Sequence, residues 1–437
     1  MIPYQKIGHY KIASDNSFKL GRNRLSLNLG WQLNKREEFG NVENLNEKAL
    51  YLDMQTFTYS TLFHFKERGG WNHAVGLNGM SQMNKNFGVE QLIPDYHLFD
   101  AGGFVYSKKE INRMNISGGF RYDLRNVNVA SLQSGNVIKG ESFNHSFSNF
   151  SGSIGMTYPL LKNIQLKLNI ARAFRAPSIS ELASNGAHEG TIRYEYGDKN
   201  LKSEISNQYD AAMEWNREHF SINIAGYFNH FNNFIFYKKL QNVIGADSLV
   251  QENGTLLTAF QFDQQKTNLR GLEISIDIHP HPLDWLHIEN SFSFVRGTFQ
   301  NPIEGCGNLP FIPAPKLYTE CRADIKNKNN FIKNAYVKVT IENTFTQNNP
   351  FTAYNTETAT SSYTLINAGL GTEIYNKKNI QVIGIYFTAS NITDVCYQSH
   401  LSRLKYASPN VFTGRSGVFN VGRNFSLKVN VPLSFKI

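Results

Sequence analysis

Long stretches in which apolar and polar residues alternate recur from one end of this 437-residue chain to the other. In the stretch 25–33, leucines and a tryptophan occupy the odd positions, and Ser, Asn, Gly and Gln occupy the even ones. The stretches 164–170, 272–279 and 425–435 repeat the pattern. Because successive side chains of a β-strand point to opposite faces, this period predicts strands with one apolar and one polar face.

The length of these stretches separates two kinds of β protein. We count about sixteen of them, many of roughly 12 to 20 residues, whereas strands of soluble proteins have about 5 to 6 residues. At about 3.3 Å per residue such strands cross a bilayer even when tilted. A soluble sandwich also alternates, but it seldom uses strands this long. The pattern therefore predicts an all-β fold, a transmembrane antiparallel β-barrel with a polar lumen and an apolar face toward lipid.

The connections between the stretches alternate strictly between short turns and long polar loops. The short turns fall at 158–163, 216–219, 279–284, 326–330 and 375–379. The long loops cover 125–141, 174–203, 238–255, 301–314, 347–361 and 393–416. Short turns at one rim and long loops at the other are typical of outer-membrane barrels.

Composition excludes several other classes. No run of about 18 apolar residues is present, which argues against transmembrane helices. The formal net charge of +9 is spread along the chain instead of forming a basic stripe, so nucleic-acid binding is not expected. The three cysteines have no zinc-type spacing; Cys306 and Cys321 either pair across one loop or, as an odd count favours, stay unpaired.

Several motifs then occur in order. The stretch 171–215 contains FRAP at 174–177 and DKNL at 198–201, followed by Glu204 and Asn207. Further stretches of the same character are NLRGLEISIDIHP (268–280), NLPFIPAPKL (308–317), NITDVCYQSHLSRLKY (391–406) and GRNFSLKVNVPLSF (422–435). Together they resemble TonB-dependent outer-membrane receptors, in which an FRAP-like box leads from a strand into an extracellular loop. The DKNL box departs from the family's NPNL-like pattern in its first two residues.

This resemblance implies a receptor barrel of 22 strands, closed by an N-terminal plug. Residues 1–437, with about sixteen strands, are expected to be the barrel portion without the plug. The implied location is the outer membrane, in contact with lipid and lipopolysaccharide. The implied partners are the TonB complex, acting through the missing plug, and a small iron- or metal-containing ligand, with no resident cofactor.

Candidate ligand-binding residues lie in the loop between the two boxes. His188 stands where haem-uptake receptors of the family carry an iron-ligating histidine, and Glu189 adds an oxygen donor for haem iron or another metal. Tyr194 and Tyr196 follow on the same loop and are candidates to stack on a porphyrin or to supply a phenolate. Arg175 either contacts ligand, pairs with a loop or plug carboxylate, or is a solvated rim charge. The alternative for His188 is an ordinary loop histidine without a ligand.

Three functions are compared. The leading hypothesis is a receptor that imports a scarce nutrient such as a ferric siderophore, haem or a metal complex. The alternative is a plugless passive channel or a surface-binding barrel. An enzyme is not expected, because neither GxSxG nor HExxH occurs. The close pair His279 and His281 in HPHP falls in a predicted short turn and is interpreted as structural.

Overall fold

The computed structural model describes residues 3–41, 44–134, 137–188, 193–252, 254–325 and 331–433. Nearly all regular structure in these residues is β. One short helix, α1 (Ile179–Ala183), and two 3-10 turns, Ala353–Asn355 and Arg403–Tyr406, accompany the strands. The strands are β1 (Tyr4–Leu20), β2 (Asn23–Phe39), β3 (Leu50–His64), β4 (Trp71–Asn86), β5 (Tyr96–Ile111), β6 (Met114–Val129), β7 (Leu132–Ser134), β8 (Val137–Gly140), β9 (Phe143–Leu161), β10 (Ile164–Arg175), β11 (Asn185–His188), β12 (Arg193–Tyr196), β13 (Glu204–Asn216), β14 (Phe220–Lys239), β15 (Leu249–Glu252), β16 (Thr255–Ile278), β17 (Leu286–Ile303), β18 (Cys306–Asn308), β19 (Lys316–Ile325), β20 (Ile332–Thr344), β21 (Tyr363–Tyr375), β22 (Gln381–Ser390) and β23 (Asn424–Asn430).

Seventeen of the described strands form a continuous antiparallel wall in which each long strand pairs with the next long strand along the chain. The short strands β7, β8, β11, β12, β15 and β18 belong to the loops. The predicted all-β barrel architecture is confirmed, close to the expected strand number. Within the described residues β1 pairs with β2 alone and β23 with β22 alone. The 22-strand total stays a prediction.

The register separates an outward from an inward face. Leu168 pairs with Met156 and Ala211 on one face, and Leu168 is 49% exposed. Following the ladder around the wall places Leu166 and Val429 on this face, and Glu273, Lys167 and Lys428 on the other. The opposite face contacts the loops, because Leu98 and Val127 pack there against Ile179 of α1. The polar face therefore lines the lumen, as the alternation predicts.

Short turns and long loops alternate between the rims. Two residues join β1 to β2, β5 to β6 and β9 to β10, whereas residues 176–203 separate β10 from β13 and 391–423 separate β22 from β23. The predicted turn 326–330 lies outside the described residues. Several loops begin later than expected, since β6 continues to Val129. Pairing with β5 and β9 extends that strand beyond its apolar stretch.

Buried apolar residues concentrate at the long-loop rim, where loops and strand ends pack on one another. One cluster contains Phe236, Phe299, Leu309 and Phe351. Cys306 lies in the same cluster, and all three cysteines are free, so the alternative of a Cys306 to Cys321 bridge is not formed. Within the described residues no helix is long and apolar enough to cross a membrane.

Candidate functional site

The first predicted box bends the chain from the wall into the loop at 176–203, here called the inner loop because it packs on the lumen face of the wall. Arg172 and Arg175 are three residues apart on β10, and they consequently point to opposite faces. Arg172 lies on the outward face, 3.8 Å from the centroid of the Phe150 ring. Arg175 lies on the lumen face at the end of the strand, and Pro177 follows, buried beneath the loop. Proline lacks an N–H to continue the ladder.

Arg175 of the first predicted box contacts α1 and Glu204, which follows the second box. Its Nη1 and Nη2 donate to the two carboxylate oxygens of Glu181 at 2.7 and 3.0 Å, and its Nε donates to Glu204. The second oxygen of Glu204 accepts from the Ile235 amide of β14 at 2.6 Å. One guanidinium therefore connects α1, the start of β13 and the long-loop end of β14. This agrees with the interpretation that Arg175 pairs with loop carboxylates. Whether Arg175 also contacts ligand stays a prediction.

The helix α1 is short but closed at both ends. Ser178 accepts from the Glu181 amide at 3.3 Å, and the Glu181 carboxylate accepts from the Ser178 amide at 2.7 Å, which forms a capping box. At the other end, the Gly197 amide donates to the Ser184 carbonyl at 2.7 Å. A Cβ on Gly197 would lie 2.5 Å from the Ala183 nitrogen, so only glycine permits this approach. The DKNL box thus packs directly on α1.

Three of the predicted ligand residues, His188, Tyr194 and Tyr196, lie on a small hairpin beside the helix. β11 pairs with β12 in antiparallel register, with His188 opposite Arg193. The side chain of His188 and the whole of Glu189 lie outside the described residues. Tyr194 is 4% exposed, and its hydroxyl donates to Asn185 at 2.8 Å. Tyr196 packs on it with ring centroids 4.9 Å apart.

Burial gives the two tyrosines a stabilising role in this loop. Burial, followed by the charge of Glu252, raises the pKa of both Tyr194 and Tyr196 above the ordinary value. A raised pKa disfavours a free phenolate. Tyr196 borders a cleft of about 300 Å³ together with Lys139, Asp198 and Lys199. The ligand role of His188, Glu189, Tyr194 and Tyr196 is not tested by this geometry and stays a prediction.

A second feature of the hairpin escaped the sequence analysis. Arg193 and Glu195 form a buried ion pair, with Nε 2.7 Å from Oε1. The Arg193 guanidinium lies 4.1 Å from the Tyr237 ring centroid, and Arg403 approaches the same ring at 6.0 Å. Arg403 itself is exposed and forms no ion pair with a described residue. Partial desolvation of its guanidinium against the Tyr237 and Phe311 rings, together with the neighbouring Arg193, lowers the pKa of Arg403. The long-loop rim therefore presents a positive charge beside an aromatic surface.

The lumen wall below the loop carries a charged groove of about 470 Å³. Arg125 donates twice to Asp100, each time at 2.7 Å, and Arg121 pairs with Asp123 in the same way. A Cβ on Gly102 would lie 2.0 Å from Asp123 Oδ1, so this glycine lets the ion pair lie flat on the wall. The signal for these residues was present in RYDLR (121–125), where charges recur every second position on one strand face.

Groups of three side chains able to share a metal ion are found elsewhere in the described residues. Both groups, His219, His281 and Asp284, and Asp277, His279 and His287, lie at the short-turn rim, opposite the loop that carries His188.

Known proteins match this chain in sequence and in fold. Residues 4–392 match the family described as TonB dependent receptor-like, beta-barrel. The TonB-dependent heme receptor A of Haemophilus ducreyi is 22% identical over 192 residues, which are 43% of this chain and 25% of that receptor.

Two solved structures show the same fold at low identity. The copper transporter OprC superposes with a TM-score of 0.77 at 13% identity, over 97% of this chain and 65% of the transporter. The ferric yersiniabactin uptake receptor FyuA from Yersinia pestis superposes with a TM-score of 0.65 at 12% identity, over 98% of this chain and 62% of the receptor. The chain spans less than two thirds of the length of each of these relatives. The relatives are receptors and transporters, not enzymes, in agreement with the sequence analysis.

Proposed function

The chain belongs to the family of TonB-dependent receptor-like β-barrels, which are outer-membrane proteins, and from this premise we propose that it is the barrel of a receptor that imports a small metal-containing nutrient. Energy would come from the TonB complex through a plug domain that closes the lumen. The barrel contributes the binding surface and the passage, and it carries out no chemical reaction. The expectation that residues 1–437 form only the barrel portion is part of this proposal.

One observation carries the proposal: the inner loop folds onto the lumen face of the wall. The contacts of Arg175 with Glu181 and Glu204, here called the Arg175 clamp, hold α1 against the polar face of the wall. The charged groove with Asp100 and Arg125 lies below. A passive pore needs no ordered loop over its lumen, whereas a receptor needs a fixed surface at the entrance. This arrangement favours receptor over channel.

The charge of the loop rim favours an anionic ligand. Arg403 is exposed beside Tyr237, with the buried Arg193 behind the same ring. Haem supplies negative charge through its propionates and a flat apolar surface through its porphyrin ring, and ferric siderophores with carboxylates supply negative charge; an arginine beside an aromatic ring suits both. We propose His188 as an axial contact for haem, with Glu189, Tyr194, Tyr196 and Arg175 around it. A ferric siderophore or another metal complex is the alternative ligand.

Uptake in cells tests the transport proposal. A strain that expresses the complete receptor containing this barrel is given haem, a ferric siderophore or a copper salt as sole source of the metal, with and without functional TonB. We expect growth on one of these sources only when TonB is present. A steady TonB-independent conductance in planar bilayers, without such growth, would contradict the proposal and favour the passive channel.

Binding tests the assignment of the ligand. Haem is titrated into wild type, His188→Ala and Arg403→Ala, and absorbance reports iron ligation. We expect His188→Ala to weaken haem binding at least tenfold and to shift the Soret band. The matched control is His230→Ala, since His230 lies on the outward face, bonded to Asn268 at 2.8 Å. Wild-type haem affinity in His188→Ala would remove that residue from the site.

The outward face supports a contact with lipopolysaccharide. Arg270 of β16 lies directly opposite Arg296 of β17 on this face, at the long-loop side of the apolar stretch. Guanidinium groups bind phosphate well, and we propose that this pair contacts phosphates of lipopolysaccharide in the outer leaflet. We expect Arg270→Ala to reduce the lipopolysaccharide that copurifies with the protein, and an inward Arg121→Ala change to leave it unchanged. Equal amounts in both variants would contradict the assignment.

A further inference from the structure

Histidine and aspartate side chains converge at the short-turn rim from two neighbouring wall strands, β16 and β17. Asp277 lies at the end of β16, His279 follows directly after that strand, and His287 lies near the start of β17. One donor atom from each of these residues lies within 4.8 Å of the others. His279 Nε2 is 2.7 Å from Asp277 Oδ2, and the His279 and His287 ring centroids are 4.4 Å apart.

The strand register produces this convergence. β16 and β17 pair Ile278 with Ile288, so the next position along places His279 opposite His287. Directly opposed residues have Cβ atoms about 4.5 to 5.5 Å apart, which suits two imidazoles that share one ion. Asp277 and His287 belong to the lumen face, because Ile278 and Ile288 are on the outward face. The group therefore faces the lumen at its short-turn end.

A second observation points to a cation. Asp277 Oδ1 is buried and has no hydrogen-bond partner among the described residues. A buried carboxylate oxygen without a partner costs free energy, and a metal ion removes that cost. His287 Nε2 lies 3.3 Å from Asp324 Oδ2, and Arg322 holds the other oxygen of Asp324 at 2.8 Å. A carboxylate on the far nitrogen is the usual way to orient a metal-binding histidine.

We propose that Asp277, His279 and His287 form a binding site for a divalent transition-metal ion, with Asp324 as a positioning residue. Two imidazoles and one carboxylate suit Zn²⁺, Cu²⁺ or Ni²⁺, whereas Ca²⁺ and Mg²⁺ prefer oxygen ligands. Three protein ligands leave a coordination position open toward the lumen. This site does not depend on the import proposed above, since it lies at the opposite rim and rests on different residues.

A neighbouring group provides an internal comparison. His219, His281 and Asp284 also come within reach of one another, but the His281 and Asp284 side chains are 65% and 58% exposed. Exposed side chains lose more conformational freedom when they are ordered on a metal. We therefore assign the site to the more enclosed group.

Equilibrium dialysis of the untagged, folded protein against Zn²⁺ tests the assignment, and Co²⁺ absorption reports the ligand field. We expect one tightly bound Zn²⁺ per chain. His279→Ala and His287→Ala should each weaken binding at least tenfold, and Asp324→Asn should weaken it about tenfold and shift the Co²⁺ spectrum. The matched control is His73→Ala, a histidine near the same rim on the outward face, bonded to Ser107.

Gel migration with and without heating shows that each variant is folded. A wild-type protein that binds neither Zn²⁺ nor Co²⁺ would overturn the proposal. Wild-type Zn²⁺ affinity in both His279→Ala and His287→Ala would overturn it as well. Loss of binding in a His219→Ala, His281→Ala double variant, with His287→Ala unaffected, would move the site to the neighbouring group and equally overturn the assignment.

Discussion

Removal of the Arg175 clamp should lower the free energy needed to open the inner loop locally, by an amount that the burial of its partners sets. In Arg175→Gln, the carboxylates of Glu181 and Glu204 lose their shared cation, and both side chains are largely buried at 13% and 9% exposure. Removing one partner of a buried ion pair costs about 3 to 5 kcal/mol. Arg175 itself is 46% exposed, and solvent screening reduces that figure. We expect the local opening free energy to fall by about 2 to 3 kcal/mol.

Hydrogen exchange measures this loss directly. The Ser178 and Ile235 amides donate to the two carboxylates, so their protection depends on the clamp. A change of 2 to 3 kcal/mol corresponds to exchange about 30- to 150-fold faster. Arg175→Lys keeps the charge but not the fork of donors, and we expect it to recover only part of the protection.

The matched control is Arg172→Gln, three residues earlier and on the outward face. It should leave the exchange of both amides within about twofold of wild type, because Arg172 contacts Phe150 and shares no partner with Arg175. Equal protection in Arg175→Gln and wild type, with the barrel folded, would refute the reasoning that one guanidinium organises the loop.

Three further predictions concern the wall, the rims and the loop core. Leu168→Arg puts a charge on the lipid face and should cost about 2 to 4 kcal/mol in vesicle refolding titrations if the site is near the midplane; an unchanged titration would reverse the register. Protease added to intact cells should cut within 391–423 and spare 376–380, and the opposite result would invert the topology. Burial alone would raise the pKa of Glu357, but His400 and two backbone amides lower it below its ordinary value. Its stabilising effect is therefore present above the unfolded pKa of about 4.3 and is lost as the pH falls through the lower folded pKa. Labelling of buried Cys306 with a dithiopyridine should become faster in wild type as the pH falls through the pKa of Glu357. In Glu357→Gln the labelling rate should not show this pH dependence, and identical pH profiles of the two proteins would contradict the prediction.

The sequence by itself determined the wall. Period-two alternation in stretches such as 164–170 and 425–435 is a local property, and it specifies which side chains meet lipid whichever strands become neighbours. The order of short turns and long loops is local as well, so the two rims followed without tertiary information. The end of β10 was also predictable, because Pro177 cannot extend a ladder.

Only the tertiary structure decided which charged residues of the inner loop and of the short-turn rim pair with one another. Arg175 meets Glu204 across 29 residues, and His287 meets Asp324 across 37, through pairings that depend on register between distant strands. HPHP is interpreted from the sequence as structural because it falls in a short turn, and the contact of His279 with His287 depends on the pairing of β16 with β17. The local sequence pattern specifies which face of the wall each side chain occupies. A binding site needs side chains from distant strands to lie close together, and their positions are set only when the sheet forms.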